Sequence, residues 1–188
     1  MKRLSFISFV LSAFLLMGFV ACEPINPEVP SVDSGGTDIT NPNDDIVESG
    51  YVDLGLSVKW AAANVGADTP EGYGDFYDYD EAVSKFGNNL PTGEQFLELQ
   101  NNCTWKWTTH KGTDGYKVTG PNGQSIFLPA AGYCNCLGEV RNVGMYGYYW
   151  SSSPDDSDRA WYFGFYSSGV GMSLYYRCNG RSVRLVQN

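Results

Sequence analysis

The run AWYFGFY, from Ala160 to Tyr166, constrains the fold most. Side chains alternate across a β-strand, so Trp161, Phe163 and Phe165 take one face while Tyr162, Gly164 and Tyr166 take the other. The first set reads as core. The second set, with Tyr175 and Arg177 from the run that follows, faces solvent or a partner. Before it, SSSPDDSD (Ser151 to Asp158) has the Pro, Asp and Ser content of a polar turn.

Other segments fill out a mixed architecture. In YVDLGLSVKWAAANVGA, residues Val52, Leu54, Leu56, Val58 and Trp60 share one face, predicting a strand, a glycine break and a second strand. DEAVSKFG places Ala82, Val83 and Phe86 at helical spacing with Gly87 as the stop. LPTGEQFLELQNNC offers Thr92 and Gln95 as a capping box ahead of Phe96, Leu99 and Cys103. Beyond it the chain reads as extended: CTWKWTTH alternates, GYKVTGPNGQSIFLPAAG is strand, turn and strand, and runs at 160–166, 172–178 and 182–186 close the sequence.

Ahead of this folded part the text differs. Residues 1–21 carry Lys2, Arg3 and a long apolar run ending in Ala21, the layout of a secretory leader rather than a membrane span. Cys22 follows directly, and GFVAC resembles a lipobox with Phe19 where Leu is usual, so Cys22 is the expected lipidation site. An acyl anchor of more than one chain suffices for stable attachment. Residues 22–49 hold four prolines, seven acids after Cys22 and no Lys or Arg, which predicts a disordered acidic linker of ~30 Å average reach. The folded domain is expected over residues 50–188. The chain's formal charge is −9, and Lys2 and Arg3 leave with the leader, so the remainder is more acidic still. Such a surface repels nucleic acid and anionic lipid, leaving the anchor as the expected membrane contact. Aromatic content of 15% and hydrophobic content of 43% still provide a core.

Four cysteines remain after Cys22: Cys103, Cys134, Cys136 and Cys178. In an exported domain they predict one or two disulfides, with three connectivities open and free buried thiols an equal alternative. Cys134 and Cys136 are too close to be each other's partners, and Cys-x-Cys without a nearby His is a weak zinc signal. The sole histidine, His110, sits in TTHKGTDG and reads as a surface residue, so no Ser-His-Asp set is expected. Asp155, Asp156 and Asp158 offer oxygen ligands suited to calcium, but three acids in one loop read as solvated charge, and no cofactor is predicted.

Six blocks, YVDLGLSVKWAAANVGA, PEGYGDFY, LPTGEQFLEL, GYKVTGPNGQSIFLPAAGY, GYYWSSSP and GRSVRLV, resemble in order the Fibrobacter-type major paralogous domain. The resemblance runs from Tyr51 to the C-terminus. This chain is short between GDFY and LPT, where members of that family carry an insert. The resemblance implies an exported lipoprotein with an α+β, C-type-lectin-like domain related to the formylglycine-generating enzymes: two short helices, small antiparallel sheets and long loops. It also implies that Trp150 is a core anchor, that the loop 151–158 is a rim, and that the last three strands display the ligand face. The Glu-Pro-Asn and Trp-Asn-Asp signatures of calcium-dependent sugar-binding lectins are absent, and Cys134, Cys136 and Cys178 do not reproduce the catalytic cysteine motif of the formylglycine-generating enzymes.

Tyrosine is a rigid amphipathic contact residue, and Ser, Gly and Asn adapt around it. The expected function is therefore a non-catalytic, lipid-anchored binding module of the outer membrane, exposed at the cell surface. Its expected partner is a glycan or protein. The expected contacts are Tyr146, Tyr148, Ser152, Asp155, Asp156, Asp158, Tyr162, Tyr166, Tyr175, Arg177 and Asn179. A structural or adhesin subunit of the envelope and a cysteine-dependent enzyme are the alternatives. SLYYRCNGRSVRL is also similar in composition and location to regions varied by diversity-generating retroelements.

Overall fold

The computed structural model describes residues 46–188; the leader, Cys22 and the linker as far as residue 45 lie outside the described residues. The described residues form an α+β domain, with two α-helices among several small antiparallel sheets. Its ends meet. β1 (Tyr51–Val52) and β11 (Val186–Gln187) both pair with β2 (Lys59–Ala61), so Trp60 faces Val52 on one side and Val186 on the other. The strands here are shorter than the alternation predicts, because Gly55 turns the chain at φ 77° with its N–H donated to Asp53 Oδ1. The inward set is nonetheless buried at Val52, Leu54, Val58 and Trp60. Residues 46–49, assigned to the linker by composition, pack on the domain: Ile46 is buried and the Val47 N–H donates to the Ser125 carbonyl.

Helix α1 (Tyr79–Phe86) begins at Asp78, whose side chain accepts from the Glu81 N–H, and ends at Gly87, where φ is 48°. It buries Tyr79 and Ala82. Val83, expected inside, is exposed, because Tyr79 rather than Val83 completes the buried face. Helix α2 (Gly93–Asn102) carries the predicted Thr92–Gln95 capping box, in which the Gln95 N–H donates to Thr92 Oγ1 at 3.2 Å and the Thr92 N–H to Gln95 Oε1 at 2.8 Å. Such a cap contributes about 1 kcal/mol. Phe96 and Leu99 enter the core, where Phe96 stacks on Phe163 at 5.0 Å and 4°. That stack fixes α2 against the late sheet.

Next come β3 (Thr104–His110), β4 (Thr113–Thr119) and β5 (Ser125–Pro129), an antiparallel meander whose second turn holds Pro121, Asn122 and Gly123. The two-stranded pair β6 (Tyr133–Cys134) and β7 (Val140–Arg141) precedes the late sheet of β8 (Tyr146–Pro154), β9 (Arg159–Tyr166) and β10 (Gly169–Tyr176), in the order β10-β9-β8. Because β8 continues to Pro154 and Ser151 is fully buried, the expected rim loop contracts to residues 155–158. The run 182–186 does not form a third display strand. It runs parallel beside β8 for a single bridge, Ser182 to Tyr149, and residues 181–184 are all buried.

Candidate binding face and its buried arginine

Pairing register decides which side chains share a face. Tyr146 lies opposite Tyr166, Tyr148 opposite Gly164, Trp150 opposite Tyr162, and Tyr175 opposite Ala160. With the strand period of two, this collects Tyr146, Tyr148, Tyr162, Tyr166 and Tyr175 on one side of the sheet. All five expected tyrosines are therefore brought together. On the other side, Tyr149, Phe163 and Phe165 are buried, whereas Trp161, also expected in the core, is half-buried near the start of β9. Gly147 is the inward residue between Tyr146 and Tyr148: a Cβ there would strike the Phe165 ring, so only glycine fits.

The rings are mutually braced. Tyr146 and Tyr148 stack at 5.9 Å and 8°, Tyr146 meets Tyr166 at 5.8 Å, and Tyr148 meets Tyr162 at 5.8 Å. Tyr146, Tyr166 and Tyr175 remain 36%, 47% and 42% exposed, so their apolar surfaces stand ready for contact. Between them runs a groove of about 390 Å³, walled by Tyr146, Tyr148, Tyr162 and Tyr166, with Gly164, Gly169 and Gly171 keeping its floor low. That volume lies within the range of small-molecule sites, ~300–1,000 Å³.

Adjoining it through Tyr148 and Tyr162 is a narrower cavity of about 120 Å³, lined by Tyr133, Asn142, Tyr148, Tyr162, Tyr175 and Arg181. Arg181 is only 2% exposed. Its guanidinium lies 3.7 Å from the Tyr162 ring centroid, 4.8 Å from Trp150, 5.0 Å from Tyr148 and 5.2 Å from Tyr175. Its Nε and Nη1 have no hydrogen-bond partner among the described residues. Burying an ion this way costs several kcal/mol, and cation–π contacts of ~0.5–2 kcal/mol each offset part of that. Desolvation pushes the Arg181 pKa down to about 10, with the surrounding tyrosines acting the other way, so the group is still charged at neutral pH. Burial likewise raises the Tyr148 pKa, opposed by a hydrogen bond that Asn142 Nδ2 donates to its hydroxyl at 3.4 Å.

The backbone holding Arg181 is fixed on both sides. Arg181 and Tyr77 exchange N–H···O bonds of 2.9 and 3.1 Å, and Gly180 and Cys134 exchange a pair of 2.8 Å each. A disulfide joins Cys136 to Cys178, three residues before Arg181, with Cα atoms 5.1 Å apart. Cys103 is a free thiol, half-buried, its pKa pushed up to about 11 by desolvation and then by Glu98.

Several expected contacts lie elsewhere. Arg177 is committed to Asp80 at 3.1 Å and lies over the Tyr79 ring at 4.6 Å, tying β10 to α1 instead of joining the face. Asn179 is buried as a turn residue, donating to the Tyr176 carbonyl. Ser152 accepts from the Tyr79 hydroxyl through its carbonyl and donates its N–H to Pro91. In the 155–158 loop, Asp155 and Asp156 both pair with Arg159 at 3.0 Å, and Asp156 Oδ1 accepts from the Asp158 and Arg159 N–H groups. Those hydrogen bonds lower the Asp156 pKa. The loop is thus closed on itself, and among the described residues its acids form no cluster able to hold a metal ion.

His110 corrects another expectation. It is buried, packed on Phe127 at 5.3 Å, and its Nε2 lies 3.9 Å from Glu71 and 4.0 Å from Glu48. One ligand atom from each of the three falls within 4.8 Å of the others, the metal-ligand geometry present among the described residues, but Glu48 also binds Lys111 at 2.7 Å. Sequence reasoning missed Arg181, Tyr133 and Asn142 as site residues. The available signal was GRSVRLV itself, where Arg181 and Arg184 sit beside Val183, Leu185 and Val186 in a run too apolar to lie at the surface.

No helix among the described residues is long and apolar enough to cross a membrane. Residues 103–186, which contain the five-tyrosine face, Arg181 and the Cys136–Cys178 disulfide, match a family model described as a domain of unknown function, DUF8237. The chain matches no curated protein and no solved structure.

Proposed function

We propose that this chain is a non-catalytic, lipid-anchored binding module, displayed at the cell surface, that takes a glycan or protein ligand on its tyrosine face. The carrying observation is the single face on which Tyr146, Tyr148, Tyr162 and Tyr166 line a groove with a glycine floor, with Tyr175 beside them at the adjoining cavity. Rigid aromatic walls lose little side-chain entropy on binding, so contact there converts efficiently into affinity. The lectin-like resemblance of six ordered sequence blocks and the lipobox at Cys22 support the same reading. The neutral state of the Cys103 thiol and the burial of His110 against Phe127 favour binding over cysteine catalysis.

Glycan and protein arrays probed with the full chain test this. A triple variant, Tyr146→Ala with Tyr166→Ala and Tyr175→Ala, removes exposed rings, and its signal on any positive feature is expected to fall at least tenfold. An undiminished signal rejects this face.

A further inference from the structure

We infer that the ligand of the tyrosine face is a saccharide ending in one anionic residue, whose carboxylate or sulfate enters the small cavity and pairs with Arg181. The inference rests on the binding reading above and specifies its chemistry.

Two observations carry it. Arg181 is buried, charged and, among the described residues, without acceptors for Nε or Nη1, yet it lines a cavity. A purely structural arginine in this molecule looks different: Arg184, also fully buried, donates Nη1 to the Ala61 carbonyl at 3.0 Å and Nη2 to the Phe127 carbonyl at 2.7 Å, so that only its Nε lacks a partner among the described residues. An oxyanion in the cavity supplies what the protein withholds, because charge-assisted N–H···O⁻ bonds are the strong ones and a guanidinium is shaped for carboxylate and related groups. At about 120 Å³ the cavity is too small for a whole ligand of drug size, so it suits a charged substituent, while the groove that shares Tyr148 and Tyr162 takes the rest.

The remainder is best matched by a sugar. The groove presents ring faces and hydroxyls, suited to the C–H faces and hydroxyl groups of a pyranose; an extended peptide would instead seek the unpaired backbone of an edge strand. One charge is also the right number. The chain carries −9 overall and the cavity holds a single cation, so a polyanion meets general repulsion for one local gain.

Calorimetric titration of the full chain with methyl β-D-glucuronide, glucose 6-sulfate, methyl β-D-glucoside and an N-acetylated tripeptide with a free C-terminal carboxylate tests this. At least one of the two anionic sugars is expected to bind ten times or more tighter than the glucoside, and which one does so tells carboxylate from sulfate. Arg181→Gln is expected to bring that ratio near one while leaving the melting temperature within a few degrees. Equal affinity for glucoside and both anionic sugars in the unmodified protein overturns the inference, and needs no variant to fold. A ratio that survives Arg181→Gln, or a peptide bound more tightly than any sugar, also overturns it. If the glucoside binds equally well and Tyr146→Ala with Tyr166→Ala abolishes it, the binding face stands and only the anion is wrong. If neither sugars nor any array ligand depends on the tyrosines, both readings fall.

Discussion

Two regions of this molecule bury an arginine without a carboxylate, and they do so to opposite ends. Around Arg184, beneath the late sheet, backbone carbonyls from β2 and β5 receive the guanidinium, and the charge locks the first and last thirds of the chain together. Around Arg181, on the outer face, the neighbours are tyrosine rings and an open cavity. Proximity to aromatic surface softens the desolvation of a cation but supplies no acceptor. The first region gives both terminal nitrogens of its guanidinium to the fold; the second leaves Nε and Nη1 without an acceptor among the described residues, as the proposed anion site requires.

The sharpest way to break this comparison is Arg184→Met. It leaves the Ala61 and Phe127 carbonyls without their donor inside the core, and urea unfolding is expected to show a loss of about 3–5 kcal/mol. A loss near zero would mean that Arg184 is no clamp. Arg181→Met retains the packing volume and removes an uncompensated ion, so its stability is expected to stay within about 1 kcal/mol of the parent, in either direction. A loss as large as that of Arg184→Met would make the two arginines equivalent and dissolve the contrast.

The smallest expected effect concerns Tyr77, whose backbone brackets Arg181. Burial first, and then Asp75 at 3.2 Å from its hydroxyl, raise its pKa from 10 to about 12. The folded state therefore holds its proton more tightly than the unfolded state. Its contribution to stability is complete below pH 10 and is lost as pH rises toward about 12. Tyr77→Phe is expected to flatten stability against pH in that alkaline window, measured by urea titration at several pH values; an unchanged slope would show that this phenol is not tightly held.

Much of the frame was legible because it depends on local rules. The capping box at Thr92 and Gln95 is a three-residue signal satisfied within its own turn. The division of Tyr146, Tyr148, Tyr162, Tyr166 and Tyr175 from Phe163 and Phe165 follows from strand parity alone. Other features depend on contacts between distant segments. The cavity joins Tyr133 and Asn142 with Tyr148, Tyr162, Tyr175 and Arg181, residues that no spacing rule relates, and Arg177 turned away because Asp80, 97 positions earlier, lies within reach. His110 looked solvated among threonines and lysine, yet the β3–β4 turn folds it onto Phe127. The disulfide belongs here too, since Cys136 could be assigned to Cys178 only once β6–β7 was seen beside the end of β10.

Gly147 carries a consequence for how such a chain can change over generations. Flanked by Tyr146 and Tyr148, it fills the one position of the three where even a methyl group would collide with Phe165. Tolerance therefore switches from residue to residue along the same ribbon. Replacement is expected to leave the fold intact at exposed Tyr146 and Tyr166 and to disrupt it at Gly147, so the two kinds of position are open to very different histories.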